Sequence, residues 1–441
     1  MRRTGRDCAL EVLRRVEEQG AFAALALAGQ ADRWELSPPE RALCHELVEG
    51  VLRQQLYLRW RLEGASRRPW EAVDPAIRRI LLLGMYQALL LDRIPVPAAV
   101  SEAVEQAKAA AGAGAGAFVN AVLRRAVARE RPLPEDPAER LPWEFSHPPW
   151  LVRRWLERLG EEETRALLAV DNRRAPLTLR ANTLRISREA LLEALRAAGH
   201  PAEPGSWAPE SVVLEAGGPV RRLPGFQEGW FQVQDEGAML VARAVDPHPG
   251  QFVIDACAAP GGKATHLAQL MGDAGRVLAV DRQASRLGLV EQGARRLGIT
   301  SLETAVLDAA SLGRDFPRAA DTVLVDAPCS GLGVLRRKPD IRWRRREEDV
   351  GRLAEEAGRI LTGAAAAVRP GGVLVYATCT TEPEENEQVV RRFLARQPDF
   401  APDRLAGHLE PLPPGASDGM LQLWPQRHGT DGVFICRLRR G

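Results

Sequence analysis

Apolar positions recur at helical spacing through the start of the chain, with Ala9, Leu10, Leu13 and Val16 on one face and Ile77, Ile80, Leu81, Met85 and Leu89 on another. Residues 1–128 therefore read as an all-helical domain, and MRRTGRDCALEVLRRVEEQG as an amphipathic helix, because acids are mixed among its apolar residues. The tract AAAGAGAGAF (109–118) reads as a flexible loop before the helix FVNAVLRRAVA. RPLPEDPAERLPWEFSHPPW (131–150) is crowded with prolines, which lose a donor and clash inside a helix, so residues 129–146 read as a linker. Residues 147–235 mix the helical WLVRRWLERLG with PLTLRANTLRI and the helical EALLEALRAAG, a small α+β module.

From 236 to 441 the pattern changes to short apolar runs alternating with helical stretches. FVI (252–254), VLAV (277–280), ETAVL (303–307), TVLV (322–325) and VLVYA (373–377) have the composition of strands buried on both faces. The expected fold class is α/β, a Rossmann-like, doubly wound and mostly parallel sheet preceded by the α+β module and the helical domain. Four of these strands are followed directly by an acid: Asp255, Asp281, Asp308 and Asp326. A single acid in that position usually caps a helix. Four in sequence, at the strand ends where such sheets bind ligands, favour a ligand rich in hydroxyl and amino groups.

The length of 441 residues leads to the same division, since one core does not usually serve so long a chain. No apolar run is long enough to cross a bilayer. Six cysteines are scattered without CxxC spacing, which argues against a metal site or a disulfide framework and for a reducing cytoplasm. The net charge of +2 neither demands nor excludes nucleic acid. Lysine occurs only at positions 108, 263 and 338, and arginine supplies the remaining positive charge; genomic base composition and a use for bidentate phosphate binding both account for this.

The run ACAAPGGKATHLAQLM after FVID carries Gly261 and Gly262 for a tight turn, and the helix that follows directs free amides toward the sheet. It lacks G-x-G-x-x-G and is not a Walker loop, which disfavours a nicotinamide dinucleotide and an oxidoreductase. The carboxylate of S-adenosylmethionine fits better, with Asp281 at the ribose hydroxyls and Asp308 at the adenine amino group.

The fourth of these strands ends in LVDAPCSG and the fifth in VYATCTT, so that Cys329 and Cys379 lie just beyond carboxyl ends. A lone cysteine there is usually a small buried hydrophobe. Two of them, one near Asp326, fit a reaction in which a thiolate adds to carbon-6 of cytosine and makes carbon-5 nucleophilic toward a methyl donor. Asp326 would help where charge collects toward ring nitrogen-3, and a second thiol would assist release.

DACAAPGGKATHLA, VLVDAPCSGLGVLRRKPDIRW, YATCTTEPEENEQ and HGTDGVFICRL resemble the RNA cytosine-5 methyltransferases of the Nol/Nop/Sun type, and the resemblance extends through PLTLRANTL and GWFQVQDEGAML. It implies that Cys379 attacks the base and Cys329 assists release. It also places the cofactor contacts at Cys257, Ala258, Ala259, Pro260, Gly261, Gly262, Lys263, Asp281, Asp308 and Asp326. Cys257 would then line the loop without a catalytic part. Lys263 is either a structural partner for an acid or an aid at the base. Ala264 and Thr380 depart from the family pattern at positions not expected to carry chemistry.

RDCALEVLRRVEEQGAFAALAL and FVNAVLRR resemble the NusB RNA-binding fold. A NusB-like domain joined to a Sun-type methyltransferase is the arrangement of a bacterial branch acting on small-subunit (16S) rRNA, which implies 16S rRNA, naked or in an early particle, as partner and a monomeric cytoplasmic enzyme. RRKPDIRWRRR (336–346) surrounds Trp343 with cations, of which Arg336, Arg337, Lys338, Arg342 and Arg344 are the expected phosphate contacts. A solvated charged face, with Trp343 in a core, explains the same run. The rival functions are the same chemistry on tRNA or another rRNA site, and a non-catalytic RNA-binding assembly factor.

Overall fold

The computed structural model describes residues 4–214 and 219–441. The first three residues of the amino-terminal amphipathic stretch thus lie outside the described residues. The chain divides into two compact units: one runs to Arg173 and also takes in Leu335–Arg345, and the other holds Arg174–Val334 and Arg346–Gly441.

The first unit is helical: α1 (Gly5–Gln19), α2 (Ala23–Arg33), α3 (Pro38–Ala65), α4 (Pro75–Leu90), α5 (Val96–Ala111), α6 (Ala113–Ala128), α7 (Pro137–Glu144) and α8 (Pro149–Asp171). Its helices bury the periodic apolar positions, Ala9, Leu13, Ile77, Ile80 and Met85 among them, in one continuous core. Two expectations are corrected here. The tract 109–118 is helical on both sides of a single break at Gly112, φ +83°, because alanine is the strongest helix former and one left-handed glycine suffices for the turn. The proline-rich stretch contains α7, which starts at Pro137 behind the capping carboxylate of Asp136 and carries Pro142 inside it. The rings of Trp60 and Trp143 lie 4.9 Å apart, so this stretch packs against α3 as part of the unit. WLVRRWLERLG forms the start of α8, which packs with this unit.

In the second unit, β1 (Leu177–Ala181), β2 (Ala202–Pro204), β3 (Ser211–Leu214) and β4 (Phe231–Val233) form an antiparallel sheet in the order β2-β3-β1-β4, backed by α9 (Arg188–Ala197). After α10 (Glu236–Val245) come the five expected strands: β5 (Phe252–Asp255), β6 (Arg276–Asp281), β7 (Leu302–Val306), β8 (Ala320–Asp326) and β9 (Val368–Thr378). They are parallel, in the order β9-β8-β5-β6-β7. The helices α11 (Gly262–Leu270), α12 (Ala284–Leu297), α13 (Glu347–Ala365) and α14 (Glu387–Leu394) alternate with them, and apolar clusters cover both faces of the sheet. The sheet continues beyond β9 with antiparallel strands, β12 (Phe434–Arg440) against β9, and β10 (Phe400–Pro402) and β11 (Met420–Gln422) against β12.

Candidate active site

β8 and β9 are neighbours, with Asp326 opposite Ala377, so the segments that leave their carboxyl ends run side by side. This register brings Cys329 Sγ within 3.2 Å of Cys379 Sγ, and the Cys379 amide donates to Cys329 Sγ at 3.3 Å. Both cysteines are half-buried. The hydrogen bond to Cys379, and then burial, hold the Cys329 thiol well above its ordinary pKa. Asp326, at the end of β8, accepts from Lys263 Nζ at 2.6 Å. Burial works against the charge of Lys263, yet the adjacent Asp326 carboxylate keeps its pKa raised. The contact makes Lys263 a partner for an acid.

A network unforeseen in the sequence fixes the two thiols. Glu385 is fully buried and accepts from the Ser330 amide at 2.7 Å and the Ser330 hydroxyl at 2.5 Å. The same hydroxyl lies 2.8 Å from that of Thr380. Ser330 follows Cys329 and Thr380 follows Cys379, so one carboxyl group ties together the segments that carry both sulfurs. Asn386, also buried, donates to the Thr380 carbonyl at 3.0 Å. The Gly333 amide donates to the Cys379 carbonyl at 3.0 Å, and an added Cβ on Gly333 would stand 2.0 Å from the Gly432 oxygen, so only glycine fits there. In the sequence, EPEENEQ looks like a solvated acidic run; its only sign of a buried member is its place just beyond Cys379, after Thr380 and Thr381.

Burial pushes the Glu385 carboxyl up to about 7, against the hydrogen bonds from Ser330 and Thr380. The folded chain therefore retains a proton between the ordinary value near 4.5 and about 7 that the unfolded chain releases. The contribution of Glu385 to stability is complete below that window and declines as pH rises through 7. Glu385→Gln should flatten this decline in a Tm series from pH 5 to 8. Glu385→Ala, which strands two donors of Ser330, should cost about 1–3 kcal/mol in denaturant unfolding and slow methyl transfer about 100-fold by loosening the sulfurs. An alanine variant with unchanged turnover would remove Glu385 from this positioning role.

Around the neighbouring strand ends, Gly261 adopts φ +105°, and a Cβ there would come within 3.0 Å of Val290 Cα on α12, so the loop lies directly against that helix. No side chain caps the amides at the start of α11. The buried Arg180 of β1 donates to the Gly262 carbonyl at 2.6 Å and to Thr265 Oγ1 at 3.1 Å, which gives PLTLRANTL a task in holding the loop. Asp281 accepts from the Gln283 amide at 2.9 Å and pairs with Arg286 at 3.2 Å. Asp308, which is exposed, caps a short turn by accepting from the Ala310 amide at 3.0 Å. Burial raises the Cys257 thiol far above its ordinary range, which suits a lining position in the loop. Asp255 is fully buried with no hydrogen-bond partner at either carboxylate oxygen, and burial and Asp326 push it up to about 7.

Among the expected phosphate contacts, Lys338 is exposed and Arg337 and Arg344 are half-buried, whereas Arg336 is buried. Arg342 departs most from the sequence reading, because it has no exposed surface. Its guanidinium donates to the carbonyls of Ser146 at 3.0 Å and Asp171 at 3.2 Å and to Asn172 Oδ1 at 2.9 Å, and its complete burial keeps it from phosphate. Trp343 packs against the helical core and donates to the Leu52 carbonyl at 2.6 Å.

Family models match three stretches: NusB over 3–128, a ferredoxin-like domain of RsmF/B-like methyltransferases over 147–221, and 16S rRNA methyltransferase RsmB/F over 242–439. Probable ribosomal RNA small subunit methyltransferase B of Bacillus subtilis is 40% identical, with 99% of this chain and 98% of that protein covered. The chain belongs to the RsmB/F family of rRNA small-subunit methyltransferases. Ribosomal RNA small subunit methyltransferase B of Citrobacter koseri is 36% identical over 98% of each chain. The crystal structure of PH0851 superposes with a TM-score of 0.84 at 27% identity, covering 99% of this chain and 98% of its own. As an RsmB/F methyltransferase the chain takes S-adenosylmethionine as cofactor and rRNA as substrate. The site fits that cofactor: uncapped amides suit its carboxylate, and the orphaned Asp255 beneath the loop suits a site completed by a polar, positively charged ligand. Among the described residues no helix is long and apolar enough to cross a membrane.

Proposed function

We propose that this methyltransferase modifies carbon-5 of one cytosine in 16S rRNA through a covalent bond between Cys379 and carbon-6 of the base. The reading rests on one observation above all, the 3.2 Å separation of two sulfurs beside the Lys263–Asp326 pair. The loop Cys257–Lys263, with Asp281 and Asp308, would hold S-adenosylmethionine, which when bound supplies an electrophilic methyl group.

Cys379 acts as the nucleophile. A thiol that keeps its proton 3.2 Å away stabilises negative charge on the Cys379 sulfur, and Cys329 is such a thiol. As Cys379 Sγ adds to carbon-6, electrons move toward nitrogen-3, where Lys263 and Asp326 together hold a proton. Carbon-5 is then able to take the methyl group. Once Cys379 is bonded to carbon, its hydrogen bond no longer holds the Cys329 thiol up. Cys329 gives its proton to solvent, accepts the one from carbon-5, and the carbon–sulfur bond breaks with its electrons returning to Cys379. A scaffold without catalysis would need neither sulfur, nor Glu385 to hold them together. The working form is a cytoplasmic monomer acting on naked 16S rRNA or an early particle.

Incubation with methyl-labelled cofactor and unmethylated 16S rRNA, followed by digestion to nucleosides, should place the label in 5-methylcytidine at a single position. Label in another nucleoside, or transfer to tRNA alone, would refute the assignment.

A further inference from the structure

The helical unit carries a partly open cavity of about 340 Å³ that the methyl-transfer site does not use. Small-ligand sites occupy roughly 300–1,000 Å³. Its wall combines the indoles of Trp70 and Trp343 with the guanidinium groups of Arg78, Arg79 and Arg344. Arg79 is satisfied by Glu17 at 2.6 Å and Glu18 at 2.9 Å. The other two are not: Arg78 Nε and Arg344 Nη1 are buried without a hydrogen-bond partner. Arg344 lies over the Phe22 ring, 3.9 Å from its centroid, a contact that supplies no acceptor.

Buried guanidinium nitrogens without acceptors are costly, and two on one cavity call for an anion. Trp343 has already spent its N–H on the Leu52 carbonyl, so it offers the cavity ring surface and no donor. Flat aromatic surface beside two unsatisfied guanidinium groups fits a ligand that joins a planar ring to a phosphate. The burial of Arg342 then acquires a purpose, since its anchoring to Ser146, Asp171 and Asn172 fixes the segment that delivers Trp343 and Arg344.

We propose that this cavity binds a single unstacked nucleotide of the substrate RNA, its phosphate on Arg78 and Arg344 and its base against Trp343. The proposal rests on rRNA being the substrate, and it is independent of which atom is methylated.

The test uses the full chain as its Cys379→Ala variant, so that binding is read without turnover. Single-stranded 16S rRNA fragments carrying 5-iodouridine at every uridine are irradiated with it, and the crosslinked peptides are mapped by mass spectrometry. Adducts on Trp343 or Trp70 are expected, and their absence overturns the proposal. Because this arm changes nothing in the cavity, a poorly folding variant does not leave the question open. In parallel, Arg78→Ala combined with Arg344→Ala should weaken fragment binding about tenfold. Arg41→Ala, at a half-buried arginine of the same unit paired with Asp32 and outside the cavity wall, should leave binding within about twofold. Free AMP should bind at least about 100-fold more weakly than the fragments. AMP binding as tightly as RNA would make this a free-nucleotide site and overturn the assignment to substrate. A negative outcome leaves the methyl-transfer reading intact, and a failure of methyl transfer does not alter the crosslink.

Discussion

Cys379→Ala is expected to lower methyl transfer to 16S rRNA by about four orders of magnitude or more, because in the proposed mechanism it removes the sulfur that bonds carbon-6. The size of the effect follows from the chemistry: without sulfur addition, carbon-5 of cytosine is a poor nucleophile, and positioning alone cannot supply the missing electrons. Binding should survive. The cofactor loop is held from β1 by Arg180 and against α12 at Gly261, and neither contact involves Cys379. Titration calorimetry with S-adenosylmethionine and filter binding with rRNA should therefore give dissociation constants within about twofold of the parent. Turnover near the parental rate would place the nucleophile elsewhere.

Cys329→Ala should produce a different failure. In the proposed mechanism addition and methyl transfer still proceed through Cys379, but the thiol 3.2 Å away, assigned to take the carbon-5 proton, is gone. The first turnover then halts with RNA bound to protein. A band surviving denaturing electrophoresis is expected only when cofactor is supplied, with steady-state turnover reduced about 10³-fold or more. The double variant lacking both thiols should form no such band. This contrast separates the two sulfurs, which a simple loss of activity in each variant would not do. A Cys329→Ala chain that turns over freely would end the release role.

Much of the catalytic unit can be read from the sequence because its signals are local. The five parallel strands are short apolar runs bounded by turns, and the ligand-binding end of such a sheet follows from strand direction, so Asp326, Cys329 and Cys379 could be grouped before β8 and β9 were known to be neighbours. What escaped was decided by partners remote in the chain. Arg342 looks like one more surface cation until it meets carbonyls at Ser146 and Asp171, 196 and 171 positions earlier. Arg437 in β12 is similar: a charged residue in FICRLRR argues against a buried strand, yet its guanidinium is accepted by the Val245 carbonyl at 2.9 Å and by Asp403 at 2.9 Å. Glu385 shows the same limit for an acid, since nothing in EPEENEQ marks which carboxylate faces Ser330. Periodicity reports how much apolar surface a segment has; it carries no record of the donors and acceptors that make a buried charge tolerable. The tract around Gly112 failed for a simpler reason, in that glycine-rich composition outweighed the helix-forming strength of the alanines between.

The central claim is that the later sulfur in the chain bonds the base. It is tested most directly by digesting the RNA adduct trapped with Cys329→Ala, using nuclease and protease, and locating the modified residue by mass spectrometry. The account predicts a methylated cytidine attached to the peptide containing Cys379. A cytidine found on any other residue, Cys257 included, would contradict it.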